Sequence, residues 1–370
     1  MTRYPDLNTP MRILLGPGPS MVHPRVLRAM SQPLVGHLDP LFIALMNEVQ
    51  ELLRYAFRTK NLLTIPVSGT GSAGMEASVC NFVEPGDSVV IGVNGYFGQR
   101  LVDMTGRYGG EVRRLERPWG EVFDPAEIES ELKKKPAKVV MVVHAETSTG
   151  ARQPLEDLGA IVHRHGALLL VDCVTSLGGV PLEIDAWDID IAYSGTQKCL
   201  SCPPGLAPLT ISQRARDVLR ARTTKVPNWY LDLTMIESYW GSDRTYHHTA
   251  PISMNFALRE ALRIVEEEGI EQRWERHAKN ARELWAGLES LGLKPIVAEA
   301  HRLPSLTTVS VPEGVDEAAL RRGLLDEFNI EIAGGLGAFK GKALRIGLMG
   351  YSSRRENIVV LLGALERLLR

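Results

Sequence analysis

The chain is short of cysteine, of aromatic residues, of net charge and of long apolar runs. Four cysteines in 370 residues are too few for a disulfide scaffold and fit a reducing compartment. Cys199 and Cys202 form a C-x-x-C, but no second pair or nearby histidine accompanies them, so we expect no metal. With 42 basic and 44 acidic residues the net charge is −2, and the longest basic clusters, Lys133-Lys134-Lys135 and Arg321-Arg322, are short. Nucleic acid and anionic membrane are therefore poor candidates as partners. No stretch approaches the roughly 18 apolar residues of a membrane span, and the first residues lead into no signal-peptide core, so the expected address is the cytoplasm.

What is present is a globular composition, 44% hydrophobic and 23% charged, long enough for one large α/β unit and a smaller one. Between about residues 60 and 215, apolar β-rich runs alternate with helical patterns, which predicts a mostly parallel sheet covered by helices. The expected strands are 62–67, 88–93, 139–144, 167–172, 189–194 and 206–211. Most read as continuous apolar runs, which implies burial on both faces. Asp124 followed by Pro125 opens one helix, and 155–165 reads as another. Beyond about residue 255 a single long amphipathic helix (257–291) precedes short strands at 306–311, 330–332 and 343–346, flanked by helices at 316–328 and 354–369. We expect an arm over 1–15, a large domain over 16–260 and a small α+β domain over 261–370.

Three features carry chemistry. Gly69-Thr70-Gly71-Ser72-Ala73-Gly74 follows a strand and opens a helix, as a dinucleotide-binding turn would. The next strand, however, ends Val93-Asn94-Gly95-Tyr96-Phe97 without the carboxylate that holds a ribose hydroxyl. What survives is a helix N-terminus that a phosphate can approach closely, or merely a tight turn. Leu168-Leu169-Leu170-Val171-Asp172 is a buried-strand pattern ending in a carboxylate, where open α/β sheets place ligands. Taken alone, Asp172 could be a loop or capping residue; buried there, it would need a cation. The run 188–197 delivers Lys198 into a small-residue loop before Pro203-Pro204-Gly205. A solvated loop lysine is the ordinary reading, but a desolvated one has a lowered pKa and can form an imine with an aldehyde. In that order, phosphate turn, Asp and Lys are the anchors pyridoxal phosphate needs. The turn takes the phosphate, Asp172 keeps the ring nitrogen protonated, and Lys198 holds the aldehyde.

On these motifs, with Leu15-Gly16-Pro17-Gly18-Pro19-Ser20, Ser148-Thr149-Gly150, Tyr246-His247-His248-Thr249 and Leu344-Arg345-Ile346-Gly347, the sequence resembles the class V pyridoxal-phosphate aminotransferases of fold type I. More narrowly, it resembles the alanine–glyoxylate and serine–pyruvate aminotransferases. The resemblance runs nearly end to end. It implies that Thr70, Gly71 and Ser72 sit at the cofactor phosphate, with Gln197 assisting beside Lys198. It further implies that Thr147 meets the ring's 3-oxygen side, that Val174 presses on one ring face, and that Phe97 stands where many relatives stack a tryptophan. Tyr246 and Thr249 would reach the phosphate from the partner subunit of a homodimer with shared sites. Arg345 matches the family's clamp for the substrate α-carboxylate, and the turn containing Gly18 would limit side-chain room.

The resemblance therefore implies transamination from alanine or serine to glyoxylate or pyruvate, with Lys198 moving the proton. A cysteine desulfurase or related lyase is the enzymatic rival, but Gln197 stands before Lys198 where that branch usually has histidine. Cys199 and Cys202 also lie too close to the cofactor anchor to swing freely. A non-catalytic protein that kept the fold is the other rival, and intact Lys198, Asp172 and Arg345 count against it.

Overall fold

A computed structural model describes Tyr4 and residues 6–370, so the expected arm lies partly outside the described residues. The large sheet has seven strands: β1 (Leu63–Ser68), β2 (Ser88–Val93), β3 (Glu111–Glu116), β4 (Val139–Val143), β5 (Leu168–Asp172), β6 (Ile191–Tyr193) and β7 (Leu206–Ile211), in the order β1-β7-β6-β5-β4-β2-β3. β6, β5, β4, β2 and β3 run parallel, whereas β7 is antiparallel to both β6 and β1. Two reversals cancel, so β1 points the same way as β6, and six strands end at one edge of the sheet. Every residue of β4 and β5 is buried, as continuous apolar strands between two helical layers must be.

One strand of the large sheet is not among those expected from the sequence, nor are the two-residue strands Lys294–Pro295 and Ala333–Gly334 of the smaller sheet. In the large sheet, Glu111-Val112-Arg113-Arg114-Leu115-Glu116 carries four charges and none of its residues is fully buried; β3 is one of the sheet's two edges. Charge on an edge strand discourages pairing with another chain, and the same charge hides the strand from an apolar search.

Two helices matter most to the site, α1 (Gly71–Phe82) after β1 and α2 (Tyr96–Arg107) after β2. Asp124 does cap the helix Pro125–Lys134, with Glu127 completing a reciprocal capping box. The expected single helix over 257–291 is instead two: α3 (Ile252–Glu268) and α4 (Ile270–Ser290). They part at Gly269, where φ is +84° and ψ 133° and the N–H closes on the carbonyls of Val265 and Glu266. A side chain resists that conformation, which is why glycine stands there. α3 packs into the large core through Leu258, Leu262 and Val265, while α4 carries Leu284 and Leu288 into a second core.

That second core lies under an antiparallel sheet of β8 (Lys294–Pro295), β9 (Leu306–Ser310), β10 (Ala333–Gly334) and β11 (Ala343–Gly347), ordered β8-β9-β11-β10. The strand expected at 330–332 is shorter and lies outside this sheet: Ile330 and Glu331 pair in parallel with Ile13 and Leu14. Residues 13–15 of the expected arm are thus built in, and Leu15 is wholly buried in the second core. A small third cluster of Ala145, Val180, Cys199, Leu303, Leu306 and Met349 joins loops of the large sheet to β9.

Gly269→Ala should lower stability by about 1 to 3 kcal/mol, the cost of forcing a side chain into that backbone region. Gly363→Ala, within the helix Arg355–Leu369 and with open space where the methyl would go, should be neutral or stabilising by up to about 1 kcal/mol. Urea unfolding of the two variants measures both.

Candidate active site

The common edge of the six strands is where the chemistry collects. Asp172 is the last residue of β5 and is 2% exposed. Its carboxylate accepts from the Val174 N–H at 2.9 Å and from the Tyr193 hydroxyl at 2.7 Å. Tyr193 is available because the parallel register sets it directly opposite Asp172 on β6. Burial pushes the Asp172 carboxyl up to about 6, against the pull of those two donors; Glu146 pushes the same way and Lys198 pulls it back.

Lys198 follows β6 through Ser194, Gly195, Thr196 and Gln197. Its backbone is pinned by Ser20, whose hydroxyl donates to the Lys198 carbonyl at 2.8 Å and whose N–H donates to the Gln197 carbonyl at 2.9 Å. Its amine donates to the Pro17 carbonyl. Gly18 has φ +106°, and any Cβ there would lie 2.6 Å from the amine nitrogen, so only glycine lets the lysine stand there. Burial brings the amine down to about 8, with Cys199 and Asp172 opposing and Arg345 and Arg100 adding to the fall. A larger fraction is then neutral and nucleophilic near pH 7 than for a solvated lysine.

α1 begins beside this lysine. Thr70 stands at its N-cap position but its side chain caps nothing, and no acidic residue lies in the first turn. A Cβ on Gly71 would meet Val174 Cγ2 at 3.3 Å and Gly195 Cα at 3.6 Å, so the helix start, Val174 and the lysine loop close on one another. Gln197 Oε1 is buried without a partner beside them. Ser72, on the first turn, accepts from Arg100 Nη1 at 3.2 Å, and the Arg100 guanidinium lies 4.9 Å from the Phe97 ring centre.

The small unit contributes Arg345, on β11 and 7% exposed. Its Nε donates to the Gly334 carbonyl at 2.7 Å and its Nη1 to the Thr147 carbonyl at 3.2 Å, which leaves the Nη2 edge open. Tyr246 and Thr249 are exposed; their hydroxyls meet at 3.4 Å and the Tyr246 ring lies 5.2 Å from that of His37, so within one chain they stand apart from this group. Their neighbour His248 bonds the Ser68 hydroxyl at 2.7 Å, at the end of β1.

Sequence reasoning missed Glu146. It is wholly buried and accepts from the N–H groups of Ser148 and Phe97 and from the Ser148 hydroxyl at 2.6 Å. Its only signal was a carboxylate just past the apolar run of β4. Tyr193 and Arg100 also went without a role, since each gains one from a neighbour distant in sequence.

The residues fit a ligand with an aldehyde, a cationic ring nitrogen and an anionic tail. The uncapped helix start and the unpartnered Gln197 amide, which can turn its Nε2 inward, suit the anion. Asp172 suits the cation, and Lys198 the aldehyde.

Comparisons with known proteins agree. The aminotransferase class-V family model matches residues 13–358. The chain belongs to the class V aminotransferases. This aminotransferase is similar to the (S)-ureidoglycine–glyoxylate transaminase of Bacillus subtilis, 43% identical over 98% of the chain and 92% of that protein. It is similar also to the alanine–glyoxylate aminotransferase of Callithrix jacchus, 42% identical over 98% and 89%. Among solved structures, an alanine–glyoxylate aminotransferase from Nostoc sp. superposes with a TM-score of 0.98 at 56% identity, covering 100% of this chain and 98% of that one. The desulfurase alternative is not favoured. Cys199 and Cys202 are buried, and burial pushes the Cys199 thiol up to about 11 and the Cys202 thiol higher still. No helix among the described residues is long and apolar enough to cross a membrane.

The raised Asp172 carboxyl gives the ligand-free aminotransferase a signed pH dependence. The folded state holds this proton up to about pH 6 and the unfolded chain only to its ordinary 3.8. Stability that Asp172 leaves intact at low pH is therefore lost as pH rises from about 4 to about 6, by on the order of 3 kcal/mol. Urea unfolding of Asp172→Asn should show its stability relative to the wild type rising by that amount between pH 4 and 7. A flat difference would mean that Asp172 does not bind its proton more tightly in the folded state.

Proposed function

We propose that this aminotransferase holds pyridoxal 5′-phosphate and transfers the amino group of alanine or serine to glyoxylate, as a cytoplasmic homodimer with shared sites. The observation that carries the reading is Arg345. It is a buried guanidinium with no carboxylate partner among the described residues, facing the strand edge that holds Lys198 and Asp172. A buried unpaired cation is expensive unless an anion arrives, and amino acids and their keto acids all bring an α-carboxylate.

In this reading Thr70, Gly71, Ser72 and Gln197 receive the phosphate. Val174 and Phe97 flank the ring, Thr147 lies at its oxygen side, and Tyr246 and Thr249 complete the partner's site. Bound there, the cofactor supplies an aldehyde that takes up the donor's amine and a ring that stores the electron pair released at its α-carbon. Asp172 keeps a proton on the ring nitrogen, and Tyr193 keeps Asp172 oriented. Lys198 Nζ, its pKa near the working pH, would take the proton from the donor's α-carbon and return it to the carbon on the other side of the transferred nitrogen. Arg345 grips the α-carboxylate of the donor and then of the acceptor, while the Gly18 turn crowds the side-chain direction and favours small substrates. Glyoxylate as acceptor is supported by both relatives, which carry it in their names. The donor differs between those names, so (S)-ureidoglycine is the second donor to be weighed.

A panel of alanine, serine, glutamate and (S)-ureidoglycine against glyoxylate and pyruvate tests the reading. Fastest turnover with a small donor and glyoxylate supports it, and a preference for glutamate overturns it. Arg345→Ala should lose about 30-fold or more in kcat/KM for both amino acid and keto acid, because truncating one side of a buried charged pair costs about 2 to 5 kcal/mol. Arg345→Lys should recover part of that, since an ammonium lacks the two-pronged geometry. If Arg345→Ala lost its cofactor while substrate affinity held, the clamp would lie elsewhere. Lys198→Ala should remain folded by circular dichroism yet show no turnover, because both the anchor and the proton carrier are gone; wild-type rates in that variant would remove Lys198 from the reaction.

A further inference from the structure

Arg100 is the cation at this site without an assignment. It lies on α2 one turn after Phe97, so both side chains leave the same face of the helix. Its guanidinium stands 4.9 Å from the Phe97 ring centre and 5.3 Å from that of Tyr96. Nη1 donates to the Ser72 hydroxyl at 3.2 Å. No carboxylate among the described residues forms an ion pair with it.

That position is electrostatically wrong for the protein alone. Ser72 is in the first turn of α1, the positive end of the helix, and a guanidinium there repels the helix dipole. The neighbouring α2 shows the ordinary solution: the buried Glu146 carboxyl accepts from the Phe97 N–H at 3.1 Å and faces that of Gly98, satisfying the start of that helix from within the fold. α1 has no such carboxyl, its N-cap side chain is idle, and a second positive group has been brought to it. Both terms reverse sign if a dianion sits between them.

We propose that Arg100 is this subunit's own cation for the cofactor phosphate, held on Phe97 as on a platform. The assignment rests on the proposed function. Stacking by the guanidinium also covers the outer side of the smaller phenyl ring that stands where relatives place tryptophan.

Spectrophotometric titration of the apoprotein with pyridoxal phosphate and with pyridoxal, which lacks the phosphate, tests this. R100A should weaken pyridoxal phosphate by about tenfold or more, the worth of a charge-assisted hydrogen bond, and leave pyridoxal unchanged. Inorganic phosphate should compete less well against pyridoxal phosphate for R100A than for the wild type. R100K should fall between, since it keeps charge but neither fork nor stacking. Equal weakening of both ligands would mean that Arg100 acts through the Phe97 ring, and unchanged affinity for both would mean that it does not serve the cofactor; either overturns the assignment while leaving the proposed function standing. A wild-type apoprotein that bound no pyridoxal phosphate would instead overturn the underlying function. Should R100A not fold, R100Q, long enough to cover Phe97, carries the same comparison.

Discussion

A carboxylate kept dry at the end of a parallel strand is the constraint around which the site is built. Asp172 has left water, and among the described residues its carboxylate accepts only from the Val174 N–H and the Tyr193 hydroxyl. Two donors reduce the cost of burying a charge without removing it, and the carboxyl rises to about 6. The ionised carboxylate is fully compensated only when something cationic completes the arrangement. Every other group at the edge then has a defined distance to keep, because β4, β5 and β6 are in register with one another and cannot slide without turning apolar residues out of the core.

Two helix starts flank that carboxylate, and they have been treated oppositely. α2 receives an internal carboxyl, Glu146, whose oxygens accept from three neighbouring donors. α1 receives none. Since the two helices follow strands of one sheet and begin at the same edge, this difference is what separates a structural helix start from a binding one. A Cβ on Gly95 would collide with Glu146, so the glycine before Phe97 is the counterpart of the buried carboxyl: one makes the room that the other fills.

The parts of this organisation visible in sequence were those with a local signature. β4 and β5 announced themselves by unbroken apolar runs, and Asp172 and Lys198 by standing where such runs stop. β3 was hidden because an edge strand is half polar, and the break at Gly269 was overrun because amphipathic spacing continues on both sides of it. Glu146, Tyr193 and Arg100 were illegible for a different reason. Each takes its meaning from a residue on another element, through the strand order, the β5–β6 register and the approach of α2 to α1, none of which is written locally.

The break at Gly269 is also a condition of the chemistry. α4 starts there, and Arg273, one turn further on and 3% exposed, lies against the lysine loop. There its Nη2 donates to the Cys199 carbonyl at 2.7 Å and its Nε to the Gly178 carbonyl at 3.0 Å, while Glu268 at the end of α3 takes its Nη1 at 2.6 Å. The residue after Lys198 is thus held by α4, and Lys198 itself by Ser20 from the N-terminal segment. The same helix reaches the small unit, where His277 accepts from the Gly350 N–H at 2.9 Å. A lysine that must change partners during a reaction gains nothing from a loose backbone, since disorder there would be re-ordered at each turn of the cycle. Fixing the chain from both sides leaves only the four-carbon side chain free to move, and that is the freedom a proton carrier between two carbons on either side of one nitrogen requires.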